Sequence, residues 1–208
     1  RWSNPGSVYV LRVVRLDITS PSVPQVTGQW VYSLDKGTGN APLADKLSAL
    51  VWLGRDLIAV EERDDPANDP NDNPQNTTNT RLYVANLAAV PPIPPDSVWN
   101  GPTGPATGGK SLEQWYVPGQ GAGAPASLPA PVPKCLWADV AALLREAAFT
   151  DPNEPFRAGN GKIEGVAYTP RRGANPALLA VLNDNDFGLV VPIREQLNVL
   201  AAPAACRP

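Results

Sequence analysis

Lys46-Leu47-Ser48-Ala49-Leu50-Val51-Trp52, carried across Gly54-Arg55-Asp56 into Leu57-Ile58-Ala59-Val60-Glu61-Glu62-Arg63-Asp64-Asp65, is the stretch that decides the fold. It is an apolar run, a short polar turn and a second apolar run that ends in charge, which is the pattern of a β-hairpin. The pattern then returns. Lys162-Ile163-Glu164-Gly165-Val166-Ala167-Tyr168 lines up with the first run, and Leu178-Leu179-Ala180-Val181-Leu182-Asn183-Asp184-Asn185-Asp186 with the second. Repetition of a β-unit points to a propeller or another array of stacked units. The copies open at positions 46 and 162, much farther apart than the ~40–50 residues of one blade. Insertions at 64–80 and 90–133 absorb the excess. Two units cannot close a ring that needs ~4–8 blades. The expectation is therefore a mainly β chain, residues 1–208, forming the C-terminal part of a β-propeller. It supplies about two to three blades of a larger ring.

Further strands flank the repeat. Residues 8–18 (VYVLRVVRLDI) and 29–34 (QWVYSL) are β-branched and amphipathic, and look like the outer strands of a preceding blade. Residues 81–87 (RLYVANL) are another strand, and 138–149 (ADVAALLREAAF) read as one short helix stopped by Asp151-Pro152. The first insertion holds Asp64, Asp65, Asp69 and Asp72 among Asn and Pro. It lacks the turn glycine and terminal Glu of a calcium loop and reads as a solvated loop. Asn76-Thr77-Thr78 within it is a glycosylation sequon. The second insertion is rich in Pro, Gly and Ala, and long enough to need a reason.

Composition narrows the chemistry. The 208 residues include no His, which excludes a Ser-His-Asp triad, a phosphohistidine and His-ligated zinc within this chain. Any metal held here takes oxygen ligands, which favours Ca²⁺ or Mg²⁺. Net charge is −3 with scattered cations, so no nucleic-acid footprint is expected. No apolar run is long enough to span a membrane or to be a retained signal peptide. The sequence begins with Arg1 and contains no Met, so a processed product is expected, its missing blades on a second chain from the same precursor or in a separate piece. Cys135 and Cys206 either form one disulfide, which requires an oxidising compartment, or are two buried thiols.

Three motifs in order resemble the phytase-like ("esterase-like activity of phytase") family. Glu62-Arg63-Asp64 after Leu57-Ile58-Ala59-Val60 is similar to its "LLVLERD" strand, Lys162-Ile163-Glu164-Gly165-Val166-Ala167 to its "NIEGLA" strand, and Leu182-Asn183-Asp184-Asn185-Asp186-Phe187 to its "VNDNDF" segment. The match covers about residues 29–63, 81–87 and 160–188 and leaves both insertions without a counterpart. The resemblance implies a secreted or periplasmic propeller, a phosphoesterase-like activity, and calcium by analogy to the β-propeller phytases.

In a propeller the innermost strand of each blade lines the central channel. Glu164 falls on such a strand, followed by Gly165, where the missing side chain admits a close neighbour. Glu62 and Asp184 fall at the ends of corresponding strands. Carboxylates converging on a channel repel unless a cation or Arg neutralises them. That gives Ca²⁺ a candidate ligand set of Glu62, Glu164, Asn183, Asp184 and Asp186. Glu164 and Asp184 are the candidate catalytic residues, and Arg63 the contact for a phosphorylated small molecule. The competing reading pairs Glu62 and Arg63 in ion pairs between blades and leaves the Asn-Asp pairs capping turns.

Gly104-Pro105-Ala106-Thr107-Gly108-Gly109-Lys110-Ser111 matches the phosphate-loop pattern literally, but Pro91-Pro92-Ile93-Pro94-Pro95 precedes it and Pro118-Gly119 soon follows. Neither the strand nor the helix that such a loop requires is expected there. Trp99 and Trp115 are expected to anchor the insertion to the body or to a partner chain, and the strand tryptophans to pack between blades. Two functions remain. One is a calcium-dependent extracytoplasmic phosphoesterase. The other is a non-catalytic propeller, a binding or structural subunit whose insertion contacts partners. An acyl esterase is weakened by the lack of His.

Overall fold

The computed structural model describes residues 9–35, 46–63, 80–140, 163–170 and 177–183, with the backbone alone at 163, 164 and 183. The chain is mainly β, built from small antiparallel sheets, and divides into two compact units. One comprises residues 1–42 and 86–133, the other residues 43–85 and 134–208.

The first unit is a hairpin wearing the Pro/Gly-rich segment. β1 (Val10–Asp17) pairs antiparallel with β2 (Gln25–Ser33), running from Val10 opposite Ser33 to Asp17 opposite Gln25. The register slips between Arg15 and Leu16, where Thr27 is the extra residue of β2. Trp30 is buried on one face of this hairpin, its ring lying over Gly28, where an added Cβ would come within 2.5 Å of it.

On the other face, Val10 and Val31 join Ile93, Trp99, Leu112 and Trp115 in a buried cluster. The segment 90–133 is therefore folded onto this hairpin. Entered through a 3-10 turn at Leu87–Ala89, it has little regular structure: 3-10 turns at Val98–Asn100 and Pro105–Thr107, and a single helical turn, α1 (Leu112–Trp115). Ser111 caps α1 reciprocally with Gln114, Gln114 N donating to Ser111 Oγ and Ser111 N to Gln114 Oε1. Along the outer edge of β2, Ile93 N donates to Gln29 O and Val132 N to Val31 O. Those bonds occupy the edge of β2 with this segment.

The second unit carries the repeat. β3 (Lys46–Gly54), β4 (Leu57–Arg63), β5 (Thr80–Asn86) and β6 (Lys134–Asp139) form one sheet in sequence order. β7 (Ile163–Thr169) and β8 (Leu178–Asn183) form an antiparallel pair whose first strand neighbours β3. Ala59, Leu82, Val84 and Trp137 of the larger sheet, with Val140 just beyond β6, bury against Leu179 and Val181 of β8. Full burial of a leucine such as Leu82 or Leu179 contributes about 1.5–3 kcal/mol. Trp137 is buried in this core, whereas Trp52 is 48% exposed.

The expected helix at 138–149 is corrected at its start, because β6 continues to Asp139, whose carboxylate takes Arg81 Nε at 3.3 Å across the β5–β6 pair. Residues 141–149 lie outside the described residues, as does the first insertion apart from Thr80. The sheets are those of a mainly β chain, and no closed ring is detected among the described residues.

Candidate functional site

The two copies of the repeat share more than composition. In the first, Leu47 lies opposite Glu62 and Ala49 opposite Glu61, so Ser48 is the extra residue of a β-bulge. In the second, Ile163 lies opposite Asn183 and Gly165 opposite Leu182, so Glu164 is the extra residue. Ser48 and Glu164 are the equivalent positions of the sequence alignment. The registers agree onward as well, Val51 with Ala59 in one copy and Ala167 with Ala180 in the other. Bulges recur beside functional sites because they re-aim a side chain. Here one marks Glu164. Gly165 fits the close approach foreseen for it: a Cβ there would stand 3.1 Å from that of Leu182.

This register reassigns the strand ends. The counterpart of Glu62 is Asn183, and Asp184 corresponds to Arg63, the last residue of β4. Glu62 and Arg63 are both buried, at 1% and 5% exposure. Lys134 Nζ of β6 reaches Glu62 Oε1 across the sheet and lies 4.1 Å from the centre of the Tyr83 ring. Arg63 Nε donates to Ser48 Oγ, which ties the end of β4 to the bulge. The neutralising ion that convergence of carboxylates called for is, at Glu62, an ammonium of the chain itself. This pairing is not legible in the sequence, because Lys134 becomes a neighbour of Glu62 only once β4, β5 and β6 lie side by side.

Of the other candidate residues, Glu164 and Asn183 are placed by backbone only, on β7 and at the end of β8. Asp184, Asp186 and Cys206 lie outside the described residues. Cys135 sits on β6, packed beside the core of the second unit. Among the described residues no three acidic or thiol side chains gather as a ligand set.

A second candidate is a cleft of about 460 Å³ in the first unit, lined among others by Arg12, Gln29, Asn100, Thr107, Lys110 and Glu113. Its size suits a small ligand. Its polar groups are turned on one another. Arg12 donates from Nε to Glu113 Oε1 at 2.7 Å, from Nη1 to Asn100 Oδ1 at 2.6 Å and from Nη2 to Trp99 O at 2.9 Å. Burial pushes the Glu113 carboxyl upward, but the hydrogen bond from Arg12, its own backbone amide, the Arg12 charge and Ser111 together outweigh it and hold the group below the usual carboxylate range.

The phosphate-loop lookalike borders this cleft. The amides of Thr107, Gly108, Gly109 and Lys110 donate to carbonyls within the segment, and that of Ser111 to Gln114. The Lys110 ammonium bonds Gln120 and stacks 4.3 Å from the Trp115 ring centre. Amides and lysine that would cradle a phosphate are engaged in holding the fold. Trp99 and Trp115 anchor the segment to its own hairpin, each indole N–H donating to a carbonyl, of Ser127 and Thr107.

No protein-family model matches the chain, and no curated protein or solved structure matches it.

Proposed function

We propose that this chain is part of an extracytoplasmic propeller of the phytase-like kind, a calcium-dependent phosphoester hydrolase completed by further blades. The observation that carries the reading is the recurrence of one bulged hairpin, with Glu164 at the bulge of the second copy and an Asn-Asp run at the end of its partner strand. A four-stranded sheet in sequence order followed by a second hairpin packed on it also suits successive blades.

Glu164, Asn183, Asp184 and Asp186 offer only carboxylate and amide oxygens, the donor chemistry that Ca²⁺ takes. Bound there, the ion would supply charge to hold and polarise a phosphoryl group. Glu62 does not fit that set, because its carboxylate is buried against the Lys134 ammonium. Arg63, linked to Ser48, is the proposed contact for a substrate phosphate. Phosphate release from a model phosphoester should depend on calcium and fall at least tenfold in Glu164→Ala. Full activity in a strong chelator would overturn the metal part, and an unchanged Glu164→Ala the catalytic assignment.

The reading of a non-catalytic binding or structural subunit is favoured by the mutual engagement of Glu62 with Lys134, Arg63 with Ser48 and Arg81 with Asp139. Absence of turnover on any phosphoester, with calcium present, would decide for it.

A further inference from the structure

The outer half of the β1–β2 hairpin is bare. Val14, Leu16, Ile18, Val23 and Val26 are all exposed, at 38–65%. Val14 and Leu16 continue the face on which Val10 is buried, and Val26 lies opposite Leu16. The segment 90–133 covers that face near Val10 and Val31 and occupies the outer edge of β2. Among the described residues β1 pairs with β2 alone. An exposed apolar strand with an open edge is a template for another strand, and proteins ordinarily blunt it with Pro, Lys or a covering loop. Residues 14–18 carry neither Pro nor Lys, their two charges, Arg15 and Asp17, are of opposite sign, and the bulge beside them lies on β2 at Thr27, not on the open strand.

The order of those residues names the occupant. Val14-Arg15-Leu16-Asp17-Ile18 reads apolar, positive, apolar, negative, apolar. Laid antiparallel against a second copy about Leu16, it sets Leu16 against Leu16, Val14 against Ile18, and Arg15 against Asp17 on both sides of the two-fold axis. Every apolar residue then meets an apolar one on one face, and each charge meets its opposite on the other. Arg15 is already held flat on its face, stacked 5.2 Å from the Trp30 ring centre with Nε donating to Thr27 Oγ1. Asp17 is held by the Thr19 amide, which donates to its carboxylate.

We infer that β1 is a homodimerisation strand, two copies joining edge to edge through residues 14–18 into one four-stranded sheet. The inference goes beyond the phosphoesterase reading and does not rest on it. Sedimentation equilibrium of the chain across the micromolar range tests it. Wild type should dimerise. Asp17→Arg sets Arg against Arg twice and should weaken the dimer about tenfold, since two cross-strand pairs turn from attraction to repulsion. Arg15→Asp should do the same, and the double exchange Arg15→Asp/Asp17→Arg should restore it. A wild type monomeric throughout, an edge filled by a different chain, or a double exchange no tighter than the single variants overturns the inference. Restoration in the double variant also shows that the single variants failed by charge and not by misfolding.

Discussion

Lys134 reaches from β6 across β5 to the carboxylate of Glu62 on β4, its ammonium passing 4.1 Å from the ring centre of Tyr83. The pair is deep, with 1% of the Glu62 side chain and 13% of the Lys134 side chain exposed. A buried ion pair recovers its desolvation cost only while both partners are present. Lys134→Met should therefore lower unfolding stability by about 3 kcal/mol, and Glu62→Leu/Lys134→Met should recover most of it. Denaturant titration measures both. A single variant with the wild-type midpoint would show that the pair carries no stability. Glu62→Gln should also leave calcium binding by calorimetry unchanged, which separates a structural carboxylate from a ligand.

The β3–β4 turn makes a simpler prediction. Gly54 lies opposite Leu57, so Arg55 and Asp56 are the two loop residues, with φ of 49° and 60°. Positive φ at both positions is the type I′ geometry that matches strand twist and prefers Asn-Gly. Each side chain with a Cβ held there costs about 1 kcal/mol. Arg55→Asn with Asp56→Gly should raise stability by about 1 kcal/mol or more, read as a higher thermal midpoint. A lower midpoint would mean that Arg55 or Asp56 makes a contact outweighing the backbone relief.

Strands and repeat were legible because short apolar runs bounded by turns, such as residues 57–60, read as buried strands, and because two copies must share a register. The alignment placed Ser48 against Glu164, and the bulges fall there. What the bulge does to a side chain was not legible, since it depends on pairing with Glu62 and Asn183. The segment 90–133 was opaque for a different reason. It has no hydrophobic period, and its order comes from Pro-fixed backbone, a capping box and two buried indoles, each a local device without a repeating signature. Composition alone read it as an insertion. Its tie to β1 runs through Arg12, whose partners Trp99, Asn100 and Glu113 lie far along the chain.

Cys135 and Cys206 bear on location. A bridge between them is part of the extracytoplasmic proposal, and Cys135 packs at the rim of the second unit's core. The protein denatured without reductant should present no reactive thiol, and Cys206→Ser should lower stability by about 4 kcal/mol, the effect of opening a closed loop of this length. Two titratable thiols in the oxidised preparation would remove both the bridge and the argument for an oxidising compartment.

Arg12 and Glu113 set an acid limit on the first unit. Arg12 holds the folded-state pKa of Glu113 below the ordinary value, against the opposing pull of burial. A carboxyl shifted this way contributes stability that is present above its unfolded pKa of about 4.3 and is lost as pH falls through the lower folded value. Both side chains are partly exposed, 25% for Arg12 and 34% for Glu113, so solvent screening limits the contribution to about 1 kcal/mol or less. Glu113→Gln should therefore lower the thermal midpoint at neutral pH, and the gap from wild type should close as pH falls through the lowered folded value. Because Arg12 also holds Asn100 and the Trp99 carbonyl, the loosening should appear first in hydrogen exchange at Ile93 and Val132, whose amides bind segment 90–133 to β2. A midpoint gap that persists unchanged through acid would show that Glu113 acts through packing, with its charge irrelevant to holding the segment in place.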